Sequence, residues 1–143
     1  ALGQVVGQLA RKSGAKVIGI DRFEKRLEIA LQSGAVDLVL NATHHEVAEH
    51  IRSITDNRGA DVAIEVTGST LALQQAVRSV AYSSRVIAMG FFQGEAAGLF
   101  LGEEFHHNRV NIVLANAAWC ASPDSVRTAA DRPRSSACSR SRR

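Results

Sequence analysis

Small residues at the start of the chain could form a phosphate-binding turn. Gly3 and Gly7 flank Val5 and Val6 in a stretch that runs straight into a helical pattern. Glycine allows a tight turn and close approach of the backbone, so a pyrophosphate can rest on the unpaired N–H groups at the helix start. The dinucleotide fingerprint G-x-G-x-x-G places two residues between its last glycines, whereas Gly3 and Gly7 have three between them. Alone, this stretch is a weak signal.

Asp21 strengthens the phosphate hypothesis by its position. It ends an apolar run of strand length and lies 18 residues beyond Gly3. In dinucleotide-binding folds an acidic residue about 20 residues after the glycines accepts hydrogen bonds from the ribose of the adenosine half, and its charge disfavours a 2′-phosphate. Asp21 therefore predicts a preference for NAD over NADP. The alternative, that Asp21 only ends a strand or caps the next helix, stays open at this point.

Two histidine pairs invite a metal hypothesis, because imidazole is a common zinc ligand. His44–His45 and His106–His107 have no CxxC or HExxH partners in the sequence. Neighbouring histidines in a helix also point about 100° apart. We therefore interpret them as solvated or capping residues.

The remaining reactive side chains are isolated. Glu65 lies in an apolar strand and is more typical of a paired structural carboxylate than of a general base. Cys120 and Cys138 lack the spacing of a redox or zinc motif and are too few for a secreted disulfide framework. None of these residues predicts a catalytic centre.

Short apolar runs of strand length alternate with helical patterns as far as about residue 115. Nearly continuous apolar strands separated by helices of about ten residues indicate a parallel sheet with helices on both faces. The predicted fold class is therefore α/β, a doubly wound parallel sheet of Rossmann type. The predicted strands cover residues 16–21, 36–40, 61–66, 85–90 and 110–115.

Two helix starts carry capping signals. Thr43 and Glu46 fit a capping box for a helix with one apolar face at residues 47, 51 and 54. Ser69 can cap a second helix, whose buried face is predicted at residues 73, 76, 77 and 80. Both helices would connect successive strands of the sheet.

The net charge of +3 is concentrated at the end of the chain. Residues 116–143 carry six arginines against Asp124 and Asp131, a net charge of +4, so residues 1–115 carry −1. The predicted domain therefore has no basic excess for a nucleic acid backbone. The segment 116–143 has no apolar period and is expected to be a disordered basic tail. We hypothesise that translation in a shifted reading frame produced its abrupt change of composition, with a genuine disordered tail as the alternative.

The apolar runs also bear on location. None reaches the roughly 18 residues that span a bilayer, and the first residues lack the pattern of a secretion signal. We therefore expect a cytoplasmic protein with no membrane partner.

Three segments together resemble the coenzyme domain of a known superfamily. They are the run from Gly3 through GQLARKSGAKVIGIDRFEKRLEIALQSGAVDLVLN, the segment DVAIEVTG ending at Gly68, and RVIAMGF ending at Phe91. Over about residues 1–115 the chain is similar to medium-chain dehydrogenases/reductases, which include zinc-dependent alcohol, sorbitol and threonine dehydrogenases. The resemblance implies an oxidoreductase with NAD as cofactor.

The resemblance also assigns roles to individual positions. The pyrophosphate would face the opening segment, with Gly3, Val5, Val6 and Gly7. The adenosine half would contact Asp21 through its ribose, with Arg22 against the adenine and Arg26 near that ribose. The groove wall would be formed at the ends of two later strands, by Thr67, Gly68, Gly90 and Phe91.

The chain also departs from the superfamily pattern. A first apolar strand would precede the glycines, in the strand order 3-2-1-4-5-6, and without it two half-sheets would have unpaired edges and poor stability. The zinc ligands and substrate residues would lie in a catalytic domain that this sequence does not contain. We therefore expect a cofactor-binding part of a homo-oligomeric enzyme, inactive as an isolated chain. The alternative is a non-catalytic nucleotide-sensing module of a potassium-transport regulator.

Overall fold

The computed structural model describes residues 2–115, and these form alternating helices and strands. The predicted α/β class is confirmed. In chain order the elements are α1 (Leu2–Lys12), β1 (Ile18–Asp21), α2 (Glu24–Gln32), β2 (Leu38–Asn41), α3 (Val47–Ser53), β3 (Ala60–Glu65), α4 (Thr70–Ser79), β4 (Val80–Ala88), a π-helical turn at Leu101–Phe105, and β5 (Asn111–Leu114). The predicted segment 116–143 lies outside the described residues.

The strands form two separate parallel sheets. One sheet contains β1 and β2, with Ile18 opposite Leu38 and Asp21 opposite Asn41. The other has the order β3-β4-β5, and within residues 2–115 no strand joins β1 to β3. The strands follow the order β2-β1 in one sheet and β3-β4-β5 in the other, with an interval between β1 and β3. This is the predicted doubly wound order without its central strand. The expected division into two half-sheets is thus confirmed.

The largest buried cluster lies between α4 and the three-stranded sheet. Leu73 and Val77 from α4 pack with Val86 and Ala88 of β4 and with Val110. Residues four apart lie on one face of a helix, which explains why Leu73 and Val77 are buried together. Smaller clusters pack α2 and α3 against the two-stranded sheet.

Helices α3 and α4 connect the two sheets through a polar cluster around Arg78. The guanidinium of Arg52 in α3 donates to the carbonyl oxygen of Arg78 in α4 at 2.9 Å. Arg78 itself lies 3.6 Å from Glu46 and 3.1 Å from Glu104. One arginine therefore links the start of α3, the end of α4 and the π-helical turn.

The capping box predicted at Thr43 and Glu46 is wrong. Helix α3 begins at Val47, and Glu46 occupies its N-cap position without a capping hydrogen bond from its side chain. Instead, the N–H and hydroxyl of Thr43 both donate to Oδ1 of Asn41, at 2.9 and 2.7 Å. The asparagine turn at the end of β2 thus competes for the residue that would have capped the helix. The Ser69 cap on α4 is confirmed, with its side chain accepting from the N–H of Ala72.

Strand β4 begins five residues earlier than predicted. It starts at Val80, which was assigned to the preceding helix, and its pairing with β3 is interrupted between Ala60 and Val62. Ser83 within this irregular part has φ 59°, a left-handed conformation that breaks the alternation of side chains. The sequence therefore predicted the apolar part of β4 from Val86 onward but not its irregular start.

Candidate functional site

The first turn of α1 offers unpaired backbone donors. Helix α1 begins at Leu2, so the opening glycines lie in a helix and not in the predicted loop. The first N–H groups of a helix lack intrahelical acceptors, and those of Gly3 and Gln4 are among them, whereas the N–H of Val5 already has a position within the helical ladder. No acidic residue lies there. A β-carbon built on Gly3 would lie 3.4 Å from Cγ2 of Val66, so this turn contacts the segment just after β3.

Gly7 lies in the interior of α1 and has a packing role. It is buried, and a β-carbon built on it would lie 2.5 Å from the carbonyl oxygen of Ala35. Only glycine therefore allows α1 to approach the turn before β2 this closely. Val6, half-buried, precedes it in the helix. The sequence predicted that both residues face a phosphate; the structure gives Gly7 a separate reason to be glycine.

Asp21 lies at the carboxyl end of β1 with its carboxylate partly exposed. Its Oδ1 accepts from the N–H groups of Arg22 and Phe23, at 2.7 and 3.0 Å. Its Oδ2 lies 3.8 Å from the guanidinium of Arg26, and 31% of the side chain is accessible. The alternative that Asp21 only ends a strand or caps the next helix therefore holds for one oxygen, because Oδ1 orders the turn into α2. The other oxygen faces a cation and solvent.

The side chains of Arg26 and Phe23 lie beside Asp21. Arg26 was predicted and lies with its guanidinium 4.6 Å from the ring centre of Phe23, a cation–π distance. Phe23, 53% exposed, was not singled out. The exposed Arg22 donates its backbone N–H to Oδ1 of Asp21. These residues form a small rim beside the carboxylate.

Asn41 was missed as a neighbour of Asp21. It stands opposite Asp21 in the parallel register, and the N–H of Ala42 donates to the carbonyl of Asp21 at 3.0 Å. Its position at the end of an apolar strand is the same signal that identified Asp21. The carboxyl ends of parallel strands are where α/β sheets bind ligands, so the signal was available.

Glu65 orders the segment after β3. It is 4% exposed, and its Oε1 accepts from the N–H and the hydroxyl of Thr67, at 2.6 and 2.5 Å. The N–H of Gly68 donates to both carboxylate oxygens, at 3.2 and 3.1 Å. The interpretation of Glu65 as a structural carboxylate is confirmed, although its partners are N–H and O–H dipoles and not a cation.

Gly68 and the pair Gly90–Phe91 lie directly against one another. The N–H groups of Met89 and Gly90 donate to the carbonyl of Glu65, at 2.7 and 3.1 Å. A β-carbon built on Gly68 would collide with the carbonyl of Phe91, and one built on Gly90 would lie 2.6 Å from Oε2 of Glu65. Gly68 also has φ 75°. The predicted wall positions therefore meet at the ends of β3 and β4.

The structure thus brings the predicted site residues together in two groups. One group, which we call the strand-end wall, contains Thr67, Gly68, Gly90 and Phe91 around Glu65, with Gly3 nearby. The other contains Asp21, Arg22 and Arg26 at the end of β1. Gly7 lies apart from both, against Ala35.

The histidines are not members of these two groups. His44 is 3.7 Å from Glu24, the ring centres of His45 and His50 are 5.6 Å apart, and His107 contacts the carbonyl of Glu103 at 2.9 Å. Within residues 2–115 no cluster of three or more His, Cys, Asp or Glu side chains could hold a metal ion. Just before and within the start of β3, a hydrogen bond from the Arg58 guanidinium lowers the pKa of Asp61, and the same hydrogen bond raises the pKa of Arg58.

Sequence comparison agrees with this arrangement. The profile of the family described as "Zinc-binding dehydrogenase" matches residues 1–132. The chain belongs to the zinc-binding dehydrogenase family. This family membership confirms the resemblance to medium-chain dehydrogenases/reductases and gives no support to the nucleotide-sensing alternative. The match also continues past residue 115, as far as residue 132.

Individual relatives are dehydrogenases that are much longer than this chain. D-guloside 3-dehydrogenase of Escherichia coli K12 is 40% identical over 125 residues, which are 87% of this chain and 35% of that protein. The NAD-dependent alcohol dehydrogenase of Saccharolobus solfataricus is 30% identical over 122 residues, or 85% and 32% of the two proteins. The chain therefore spans about a third of the length of the curated relatives it matches.

Solved structures show the same fold. Benzyl alcohol dehydrogenase from Acinetobacter calcoaceticus superimposes with a TM-score of 0.72 and 28% identity, covering 80% of this chain and 32% of that one. The alcohol dehydrogenase TADH from Thermus sp. ATN1 has a TM-score of 0.70 and 27% identity, covering 80% and 33%. In the described part of this family member, no helix is long and apolar enough to cross a bilayer.

Proposed function

We propose that this chain binds NAD as the coenzyme-binding part of a dehydrogenase. The parent reaction would move hydride between C4 of the nicotinamide and an alcohol or carbonyl carbon, and the bound cofactor supplies that chemistry. The observation that carries the proposal is the position of Asp21. Its carboxylate lies at the end of β1, the strand expected second in a Rossmann-type order, and keeps one oxygen available beside Arg26.

The residues present fit a dinucleotide at three places. The first-turn N–H groups of α1 can donate to the pyrophosphate, since that turn carries no acidic side chain. Asp21 can accept the adenosine ribose hydroxyls through Oδ2, while Oδ1 stays bound to its own turn. The strand-end wall, including Gly68 and Phe91, would border the other half of the cofactor.

Charge around Asp21 supports NAD over NADP. A 2′-phosphate would have to approach a carboxylate, which costs free energy through like-charge repulsion. Arg26 lies close enough to offset part of that repulsion, but it is 3.8 Å from Asp21 and 67% exposed. An exposed pair of this kind is worth little, so the carboxylate decides the preference.

The described residues do not fit a zinc ion. Residues 2–115 hold no cluster of ligands for it, and no step of the chemistry is assigned to a metal on this chain. This chain's part is to bind and orient the cofactor.

Calorimetric titration of the 143-residue chain with NADH tests the proposal. Saturable binding with one site is expected, and ADP-ribose, which lacks nicotinamide, should bind at the same site in competition. A chain that is folded by circular dichroism and binds neither molecule would contradict the proposal. The variant Glu28→Gln, which changes an exposed carboxylate on α2, is the matched control.

A further inference from the structure

Glu65 is the buried acid on which the strand-end wall depends. Its side chain and its carbonyl together accept hydrogen bonds from four backbone N–H groups and one hydroxyl. The donors come from both sides of the wall, after β3 and after β4. One residue therefore fixes the relative position of the two segments.

The wall has no spare room around the carboxylate. Gly90 approaches Oε2 so closely that a β-carbon there would lie 2.6 Å away, and Gly68 lies in equally close contact with Phe91. Within residues 2–115 Glu65 makes no salt bridge, so its charge is held by these dipoles alone. If the Glu65 side chain lost one of the hydrogen bonds that it accepts, the segments that contain Gly68 and Phe91 would have to shift.

We propose that Glu65 is a positioning residue for the nicotinamide half of the cofactor. This inference rests on the proposed function. Dinucleotide-binding folds consist of two mononucleotide-binding halves, and Asp21 belongs to the first while the wall belongs to the second. Glu65 touches no ligand itself; it acts by holding Thr67–Gly68 against Gly90–Phe91.

The variant Glu65→Gln tests the proposal because it keeps the shape and replaces one acceptor by a donor. In one orientation the NH2 group of the new amide faces the donors of Thr67, and in the other it faces the N–H of Gly68. In both orientations a donor meets a donor, and a hydrogen bond is lost. Affinity for NADH should fall about tenfold or more, because hydrogen bonds to a charged group are lost. Affinity for ADP-ribose should stay within about twofold of the unchanged chain, since its contacts lie in the other half.

A merely structural role would not separate the two ligands. The fluorescence of bound NADH gives a second readout, because it reports the surroundings of the nicotinamide ring, and its maximum should shift in Glu65→Gln. Asp21→Asn should show a different pattern, with weaker binding of both NADH and ADP-ribose. Glu28→Gln should change neither.

The possible outcomes separate this inference from the proposed function. If the unchanged chain binds neither ligand, the proposed function fails and the inference fails with it. If the chain binds both and Glu65→Gln weakens both equally or neither, the inference alone is overturned. Should Glu65→Gln not fold, Thr67→Val removes one donor to Oε1 and is judged by the same criterion, with Thr67→Ser expected to restore binding. If neither Glu65→Gln nor Thr67→Val folds, Glu65 is a stability residue and the inference is wrong.

Discussion

A β-carbon on Gly7 would lie 2.5 Å from the carbonyl oxygen of Ala35, a distance that real β-carbons do not reach. This contact fixes how closely α1 packs on the turn before β2. Arg11, one turn further along the helix, reinforces it by donating to the carbonyl of Gly34 at 2.6 Å and pairing with Asp37 at 2.8 Å. Helix α1 is therefore held to the two-stranded half of the molecule.

The first prediction separates the two glycines of α1. Gly7→Ala should lower the free energy of unfolding by about 1–3 kcal/mol, because the added methyl must displace backbone atoms. Gly3→Ala should leave stability unchanged or raise it by up to about 1 kcal/mol, since alanine favours helix and its methyl meets Val66 at an ordinary contact distance. Urea unfolding of both variants checks this. Equal effects at the two positions would refute the packing role of Gly7.

The second prediction concerns cofactor choice. The chain should bind NADH more tightly than NADPH, and Asp21→Ala should weaken NADH binding by about 1.5–3 kcal/mol through loss of a charge-assisted hydrogen bond. Part of that loss will come from the turn, because Oδ1 orders Arg22 and Phe23. Asp21→Asn keeps an acceptor for the turn and should therefore cost less. Tighter binding of NADPH by the unchanged chain would contradict the assignment.

The third prediction exploits the strained start of β4. Ser83 has φ 59°, which costs about 1–2 kcal/mol for a residue with a β-carbon. Ser83→Gly should therefore raise the free energy of unfolding by about 0.5–1 kcal/mol after the entropy of glycine is counted. The next residue gives a matched control, because Ser84 does not have a positive φ and Ser84→Gly should destabilise the strand by a similar amount. A thermal melt of both variants decides the sign.

The fourth prediction is that the 143-residue chain alone shows no dehydrogenase turnover. Residues 2–115 hold no cluster for a catalytic metal. Incubation with NAD, zinc and a panel of alcohols should give no NADH above a sample without protein. Binding of NADH by the same preparation shows that the protein is folded. Metal-dependent formation of NADH by the purified chain would overturn this prediction.

The sequence was most informative where hydrophobic periodicity was strong. The strand runs ending at Asp21 and Glu65, and the helix capped by Ser69, all follow from local patterns and are confirmed within a few residues. The π-helical turn at Leu101–Phe105 was not predicted, because its side chains follow no helical or strand period.

The candidate site was predictable in type but not in contacts. Gly68 and Gly90 were predicted as wall positions at the ends of two strands, yet only the folded chain shows that the two glycines approach each other and Glu65. Such contacts join residues far apart in sequence, which local patterns do not report. The wrong capping box at Thr43 has the same origin, because the competing acceptor on Asn41 depends on where β2 ends.

The interval between β1 and β3 has a further consequence for how the chain behaves in solution. Strands β1 and β3 each have one edge without a partner among residues 2–115. Ile20, Val62 and Ile64 on these two strands are between 37% and 45% exposed. Water satisfies such edges in dilute solution, whereas at high concentration an edge of a second molecule offers the same hydrogen bonds. Self-association of the isolated chain should therefore begin while its helices are still intact, and it should rise with protein concentration before heat unfolds the cores.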